Sequence, residues 1–404
     1  MDLLNEGVKA GAVIVTDLSR KVTLAGITKA YPVYKIRLDW LYYNDQNDRI
    51  ATWISQYRSE HNGQSISLDN KEQYNAAIEK FICESNPAAI RKTKANIKEV
   101  DQREPAVVLF DGRIIDGNRR FTCLRLLAKE NERFNYLEAV ILPEVEGRDS
   151  KHIKMLELSL QHGEEGKVDY NPVDLMVGLY HDVVETQLLT PAEYARSTNE
   201  KISAVRKKIE VAQLMVEYLE FINAPGQYHI IRDLQLLFPL EELSRMLKKT
   251  QSNDEAEDLK VCVFSNILMR TSNDLGRFVR KIKDVMSTPY FGQYLDEQRE
   301  IAEEVIDLLP PVGNVNSEVL RETVKSNVAI AESLERSITK ALTKAQKAEL
   351  ASRPLQILEE ASNLLSTIDD SQFSDYSEDD LAAISARVEQ LKSQLDDLMF
   401  EIER

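Results

Sequence analysis

The chain has 404 residues and a formal net charge of −16 at pH 7. That length permits two or three domains with a substantial core. The acidic balance argues against broad, nonspecific binding of polyanions but leaves room for a local basic face. The three cysteines lack the spacing of a disulfide framework or a zinc site. Because no apolar run approaches the roughly 20 residues of a membrane span, we expect a cytoplasmic protein without a membrane segment or a structural metal.

The first predicted elements are a strand over residues 33–38 and a helix that begins near residue 50. The helix is indicated by apolar residues at helical spacing, namely Ile50, Trp53, Ile54 and Tyr57. A polar stretch, residues 44–49, lies between the two elements. If Arg49 contacts no ligand, it is a surface arginine that heads this helix.

A β-hairpin is predicted for residues 107–115. The run 107–110 has the composition of a strand, and Asp111-Gly112 is a strong signal for a two-residue turn. Residues 113–115 would then return as the partner strand.

A tight turn over residues 116–118 leads from this hairpin into a helix. Its residues tolerate positive φ, and the helix is indicated by Phe121, Leu124 and Leu127. Free backbone amides and the guanidinium groups of Arg119 and Arg120 would meet at the helix N-terminus. A helix dipole attracts anions and arginine forks match phosphate oxygens, so the pattern predicts a phosphate site. The alternative is a hairpin packed on a helix, with two surface arginines and no ligand.

Two short helices joined by a turn are predicted for residues 190–213. Thr190 and Glu193 form a capping-box pattern around Pro191, and Asn199 can adopt the left-handed turn position. The second helix, over 201–213, would bury one face made of Ile202, Val205, Ile209 and Ala212. Four polar residues would lie away from that face: Lys201, Ser203, Arg206 and Lys207.

This helical pair has the pattern of a DNA-binding helix-turn-helix. Its second helix would enter the major groove of duplex DNA, where the basic residues would contact phosphates. Ser203 or Arg206 would reach base edges. Two core helices without a nucleic-acid partner are the alternative.

The chain beyond about residue 225 is predicted to be helical almost throughout. Apolar repeats indicate helices over three ranges: 230–250, 258–286 and 290–309. Residues 310–314 indicate a linker. A long helix is predicted from residue 317 to about residue 350, with a break near Pro354.

The last segment has the pattern of a coiled coil. Ser377 and Asp380 supply a helix start. Seven apolar residues, called the seam below, then alternate by three and four positions: Leu381, Ile384, Val388, Leu391, Leu395, Leu398 and Ile402. Such a seam needs a partner, which is either another copy of this chain, a helical protein, or the helix at 317–350.

Residues 105–128 resemble the second box of the ParB/sulfiredoxin-like family, in which a strand ending in Gly-Glu-Arg-Arg cradles the triphosphate of a nucleotide. The four positions here are Gly117, Asn118, Arg119 and Arg120. The Asp-Gly-Asn-Arg-Arg form is similar to variants in ParB-like proteins outside chromosome partitioning. The catalytic cysteine of sulfiredoxin falls at Asn118, so the resemblance does not imply reduction of sulfinic acid.

The first and third boxes of the family extend this resemblance. Residues 44–49 are similar to its Asn-Pro-x-Gln-x-Arg stretch, which implies nucleotide or fold contacts for Gln46 and Arg49. Residues 156–176 resemble the third box, with Gln161 as the matching glutamine.

The third box departs from the family at three positions. Ser159 stands where the family has an asparagine that helps to hold magnesium, Leu158 replaces its glutamate and His162 replaces its arginine. These replacements put metal-assisted hydrolysis in doubt. Nucleotide binding could survive them, since the phosphate cradle lies elsewhere.

The resemblance implies a nucleotide-gated DNA-binding protein that carries a nucleoside triphosphate, CTP or ATP, with Mg²⁺. Its C-terminal region would join two copies or bind a helical partner. Any hydrolysis would be slow, and Asp116 is the nearest carboxylate that could act in it. The biological setting would be plasmid or mobile-element maintenance, transcription control or phage defence.

Two other classes of function compete with this one. The motif also resembles the Asp-Gly-Gln-Gln-Arg motif of nucleotide-dependent restriction enzymes, which implies a nicking or restriction nuclease with Asp116 and Arg120 catalytic. Against it, the second glutamine is replaced by Arg119, and the C-terminal half has no histidine-rich nuclease motif. A helical interaction scaffold would bind neither nucleotide nor DNA.

The predicted fold class is α+β. A ParB/sulfiredoxin-like domain with a small mixed sheet would occupy residues 1–165, and a helix-turn-helix domain residues 166–225. A helical domain over 226–312 and a helical or coiled-coil region over 313–404 would follow.

Overall fold

The computed structural model describes residues 2–24, 27–143, 150–162, 171–269, 275–369, 373 and 376–404. The protein is α+β, with a six-stranded mixed sheet near the N-terminus followed by many helices, as predicted. It divides into two compact units, Met1–Thr339 and Lys340–Arg404. The predicted boundary at residues 165 and 166 lies outside the described residues, and the four-part division stays a prediction.

The sheet contains a long N-terminal hairpin that the sequence analysis covered only in part. Its strands are β1 (Val13–Leu24), β2 (Ile27–Arg37), β3 (Tyr42–Tyr43), β4 (Ala106–Leu109), β5 (Arg113–Asp116) and β6 (Tyr136–Leu142). They lie in the order β1-β2-β6-β4-β5-β3. The pairs β3–β5 and β4–β6 are parallel, whereas β1–β2, β2–β6 and β4–β5 are antiparallel.

Most of the other described residues are helical. Around the sheet the helices are α1 (Ala51–Glu60), α2 (Lys71–Ser85), α3 (Pro87–Val100), α4 (Asn118–Ala128), α5 (Ser150–His162) and α6 (Pro172–Tyr180). After it come α7 (Pro191–Thr198), α8 (Ile202–Phe221), α9 (His229–Asp233), α10 (Leu237–Leu247), α11 (Asn253–Met269), α12 (Leu275–Met286), α13 (Phe291–Asp307), α14 (Ser317–Ser326), α15 (Val328–Ser366) and α16 (Glu378–Glu403). Among the described helices, none has the length and apolarity needed to span a bilayer.

Strand β4 separates two hydrophobic cores because successive side chains point to opposite faces of a strand. Val108 packs with Phe121 and other residues of α2, α3 and α4 on one face. Val107 and Leu109 pack with Leu156 of α5 on the other. Both faces are therefore covered, which explains the continuous apolar run that predicted this strand.

The predicted helical pair is present as α7 and α8. Thr190 and Glu193 form the capping box, and Asn199 adopts the left-handed conformation with φ 56°. Two expectations were wrong. Helix α8 runs past residue 213 to Phe221, because its apolar spacing continues, and Ile202 is 46% exposed, because it lies in the first helical turn, ahead of the buried Val205.

The prediction of one helix from residue 317 that breaks at Pro354 was also wrong. The interruption lies at Asn327, whose side-chain amide donates to the carbonyl of Thr323 at the end of α14. Helix α15 instead continues through Pro354. Proline removes one backbone hydrogen bond, but Leu350, whose carbonyl loses that donor, is 65% exposed and can be solvated.

Helix α16 begins as predicted, with Ser377 accepting a hydrogen bond from the amide of Asp380. In the described structure none of its residues is buried. The seam is exposed, from 37% at Leu381 to 71% at Ile402, with Ile384 half-buried.

Candidate functional site

The turn between β5 and α4 requires glycine. Gly117 is the N-cap of α4 and has φ 107° and ψ 13°. A Cβ added there would lie 2.7 Å from the Cβ of Ala106 and 3.3 Å from Nη2 of Arg120. Strand β4 and the start of α4 therefore approach each other too closely for any side chain at this position.

The N-terminus of α4 has no side-chain cap. The first intrahelical bond runs from the amide of Phe121 to the carbonyl of Gly117, so the three preceding amides are left as donors. Oδ1 of Asn118 is buried and has no hydrogen-bond partner among the described residues. This end of the helix offers the donors that an anion needs.

These groups open into a cleft of about 290 Å³. One wall is the motif itself, Asp116 to Arg120, and a second is the junction of α2 and α3 at Ser85 and Asn86. Asn47 and Arg49 enter from the 3-10 turn before α1, and Gln161 enters from α5.

The guanidinium groups of Arg49 and Arg119 lie within electrostatic range of each other in this cleft. Burial and the positive charges of Arg49 and Arg120 lower the pKa of Arg119. Within the described part of the chain, Arg119 forms no ion pair or hydrogen bond through its side chain. A half-buried cation beside another cation is unfavourable, and an anion bound between them would remove that cost.

Asp116 and Arg120 are engaged with each other. Nη2 of Arg120 donates to Oδ2 of Asp116 at 2.9 Å, and its Nη1 donates to the carbonyl of Glu104 at 2.7 Å. Arg20 of β1 lies on the other side and donates to the same carboxylate oxygen at 3.3 Å. Asp116 therefore holds two arginines in place. Sequence analysis missed Arg20, since the strand pairing that brings it here has no local signal.

Some residues of the first and third boxes line the cleft and others do not. Arg49 lines it and is half-buried, unlike a surface arginine, whereas the Gln46 side chain is exposed and lies outside the lining. From the third box, Gln161 is buried at the cleft and donates to Oε1 of Glu157 at 3.0 Å. Ser159 donates to the carbonyl of Leu156 in its own helix.

The structure shows no protein cluster for a metal ion beside these donors. Across the described ranges, no group of three or more His, Cys, Asp or Glu is placed to hold one. The three cysteines are free thiols, and Cys123 is buried as expected of a small core residue.

The predicted DNA-contacting residues lie together on the start of α8. Lys201, Ser203, Arg206 and Lys207 are all exposed. Lys208 instead pairs with Glu200 at 2.5 Å. Among the described residues, no ion pair involves Lys201, Arg206 or Lys207, so they form a basic surface on an acidic protein.

Comparison with protein-family models finds no match, and comparison with curated proteins finds none either. The motif residues and the geometry of the cleft and the helical pair are therefore the features that bear on function.

Proposed function

We propose that this chain is a ParB-like DNA-binding protein that is gated by a nucleoside triphosphate. The observation that carries the proposal is the half-buried Arg119, which lies near Arg49 at an uncapped helix N-terminus and forms no ion pair with a carboxylate among the described residues. A triphosphate would neutralise Arg119 and accept hydrogen bonds from the first amides of α4.

The cleft fits a nucleotide better than a free phosphate. Its volume of about 290 Å³ is close to the lower end of small-molecule sites, roughly 300 Å³. Ser85, Asn86 and Thr93 provide polar groups in the same lining beyond the arginines, where a ribose or base would lie. CTP and ATP are both candidates. Mg²⁺ would be held mainly by phosphate oxygens, its usual ligands in nucleotide complexes.

Asp116 is better suited to positioning than to catalysis in this proposal. Arg20 and Arg120 both donate to its Oδ2 atom, so the carboxylate is committed to structural contacts. This geometry gives no support to a nuclease that uses Asp116 as a base. Nucleotide occupancy, rather than rapid hydrolysis, would be the signal.

The start of α8 would bind duplex DNA. Lys201, Arg206 and Lys207 would contact phosphates, and Ser203 or Arg206 would reach base edges from the major groove. The net charge of −16 limits binding to this local surface, because the rest of the protein repels polyanions.

Removal of these cations should reduce both the affinity for DNA and its salt dependence. We expect Arg206→Ala and Lys207→Ala each to lower the slope of log K against log salt by about 1, since each phosphate contact releases counterions. Fluorescence anisotropy with a labelled mixed duplex, at several salt concentrations, measures this slope. Lys208→Ala is the matched control, because Lys208 is paired with Glu200. An unchanged slope in the first two variants would remove this surface as the DNA contact.

The seam of α16 would join two copies of the chain. Its residues follow the a and d positions of three heptads, and they are not covered in the described structure. Helix α15 does not serve as the cover, since its own apolar residues in the same unit, such as Leu350, Ile357 and Leu364, are exposed too. A second copy supplies an identical seam.

Leu391→Glu should convert this dimer to a monomer. A charge at a central d position would be buried without a partner in the paired helices. Size-exclusion chromatography with light scattering, at micromolar protein, gives the mass directly. Ser393→Glu places the same residue on the outer face of α16 and should leave the dimer intact. A monomeric wild-type protein would refute this assignment.

The nucleotide proposal is tested by calorimetric titration of the purified protein with CTP, ATP and GTP plus magnesium, with and without duplex DNA. Saturable binding of one nucleotide that changes DNA affinity supports gating. Absence of binding for all three would remove the nucleotide switch, and the DNA measurement would then separate a plain DNA-binding protein from a scaffold.

A further inference from the structure

A buried lysine lies among three buried carboxylates where the sheet meets the helical pair. Nζ of Lys154 in α5 is 2.7 Å from Oδ1 of Asp48, 3.3 Å from Oδ2 of Asp182 and 3.9 Å from Oε2 of Glu157. The lysine side chain is 7% exposed, and the three carboxylates are exposed by 2–6%. We call these four residues the Lys154 cluster.

The Lys154 cluster connects elements that belong to different parts of the first unit. Asp48 lies in the 3-10 turn Asp48–Ile50 before α1, between the cleft residues Asn47 and Arg49. Asp182 lies in the π-helical turn His181–Glu185, shortly before α7. Glu157 shares α5 with Lys154 and accepts a hydrogen bond from the cleft residue Gln161.

The packing around the Lys154 cluster is close. A Cβ on Gly178 of α6 would overlap the carboxyl group of Asp48. Helices α5 to α8 share a hydrophobic core that includes Leu158 of α5, Leu179 of α6, Tyr194 of α7 and Val205 of α8. A displacement of Asp48 or Asp182 would therefore disturb the packing that holds the helical pair.

The charges in the Lys154 cluster do not balance. With all three carboxylates ionised, one ammonium group faces three negative charges in the interior. Oδ2 of Asp48 has no hydrogen-bond partner among the described residues. An uncompensated buried charge is strongly unfavourable, and a carboxyl group usually responds by retaining a proton.

Neighbouring groups supply little compensation. Asp174 of α6 is itself buried and accepts a hydrogen bond from the amide of Thr52 at 2.8 Å. The positive charge of Arg232 in α9 lowers the pKa of Asp174. His181 is exposed and forms a hydrogen bond with Glu185. Asn44 donates to Glu157 at 3.4 Å. Tyr194 of α7 also lies within electrostatic range of Asp48, Lys154 and Asp182.

Burial raises the pKa of three carboxyl groups in this region, those of Glu157, Asp182 and Asp174. Burial raises the pKa of Glu157 to about 7. The charge of Lys154 lowers this pKa, and the negative charges of Asp48 and Asp182 raise it. Burial also raises the pKa of Asp182 to about 6 and that of Asp174 to about 6.

We propose that the Lys154 cluster is a proton-dependent joint between the sheet and the helical pair. One proton held within the cluster on Glu157 or Asp182 reduces its excess charge and keeps the turn before α7 against α5. When that proton passes to solvent, the carboxylates repel one another and the joint loosens. This device goes beyond nucleotide and DNA binding and does not require either.

The sign of the pH dependence follows from linkage. The folded state holds a proton that the unfolded chain has already released above its ordinary carboxyl pKa near 4.3. The stabilising effect of these groups is therefore complete below about pH 4 and is lost as the pH rises through about 6 to 7.

The test compares thermal unfolding of the full chain with that of Glu157→Gln between about pH 5 and pH 8. Glutamine is a permanent mimic of the protonated carboxyl group. We expect the variant to gain stability relative to the wild type as the pH rises, by roughly a hundredfold in the unfolding equilibrium over this range. Glu99 is exposed and has no pairing contact in the described structure. The stability difference between Glu99→Gln and the wild type should therefore stay constant over this pH range.

A local readout distinguishes a joint from a general stability effect. At pH 8, hydrogen exchange in residues 172–198 should be slower in Glu157→Gln than in the wild type, while exchange in β6 stays equal. Asp182→Asn serves as a second variant if Glu157→Gln fails to fold. A stability difference that does not change with pH, or equal exchange in residues 172–198, would overturn the proposal.

Discussion

Arg119→Ala is expected to weaken nucleotide binding by about 3 kcal/mol, roughly a hundredfold in Kd. The substitution removes a half-buried guanidinium group that forms no ion pair within the described part of the chain, so its main interaction would be with the triphosphate. Calorimetric titration with the nucleotide that binds the wild type measures the change.

The same substitution should leave the unliganded protein at least as stable as the wild type. Among the described residues no carboxylate loses a partner, and the repulsion of Arg119 by Arg49 and Arg120 is relieved. Thermal unfolding without nucleotide checks this second expectation. Arg91→Ala, at an exposed arginine on α3, is the control that should change neither property. Equal nucleotide affinity in Arg119→Ala and wild type would exclude this cleft as the triphosphate site.

Arg120 is a less informative position for the same test, although it belongs to the same motif. Its guanidinium group holds Asp116 and the carbonyl of Glu104, so truncation would disturb the turn as well as any ligand contact. A loss of binding in Arg120→Ala would therefore not separate a ligand from a support. Arg119 and Arg120 are neighbours in the motif, but only Arg120 is held by protein contacts in the described structure.

The parts of the fold that could be predicted are those with local signals. The hairpin of β4 and β5, the left-handed Gly117 and the capping box at Thr190 each depend on a few neighbouring residues. Their conformations follow from backbone sterics and from hydrogen bonds within one turn. Gly117 in particular links sequence to site, because the same residue shapes the turn and uncovers the helix N-terminus.

The parts that could not be predicted depend on pairing over long separations. Arg20 reaches Asp116 through a sheet that joins residues 96 positions apart in the chain. Lys154 meets Asp48 over a separation of 106 positions. In the sequence both cations look like ordinary surface residues, since nothing near them shows that they are buried.

Exposure explains the remaining errors. Pro354 was taken as a helix break because it lacks an amide donor, yet its helix is solvated at that point. Ile202 was placed on the buried face by spacing alone, although the first turn of α8 projects beyond the core. Periodicity identifies the face of a helix, but the length over which that face is covered depends on its neighbours.

Lys154→Met is expected to destabilise the first unit by about 3–5 kcal/mol at neutral pH. Methionine keeps much of the side-chain volume but removes the cation that faces Asp48, Glu157 and Asp182. Three buried carboxyl groups would then have to bind protons or lose their packing. Chemical denaturation followed by tryptophan fluorescence reports on this unit, because Trp40 and Trp53 both lie in it.

A control variant and a second-site variant test whether the effect of Lys154→Met arises from the burial of its charge. Lys98→Met removes an exposed lysine that pairs with Glu130 at 3.1 Å, and surface pairs contribute at most about 1 kcal/mol. Because Glu157 and Asp182 lose the cation that lowers their pKa, the cost of Lys154→Met should shrink as the pH falls. Addition of Asp182→Asn should restore part of the stability at neutral pH. If Lys154→Met cost no more than Lys98→Met, the cluster would not be charged in the folded protein, and the proton-dependent joint would fail with it.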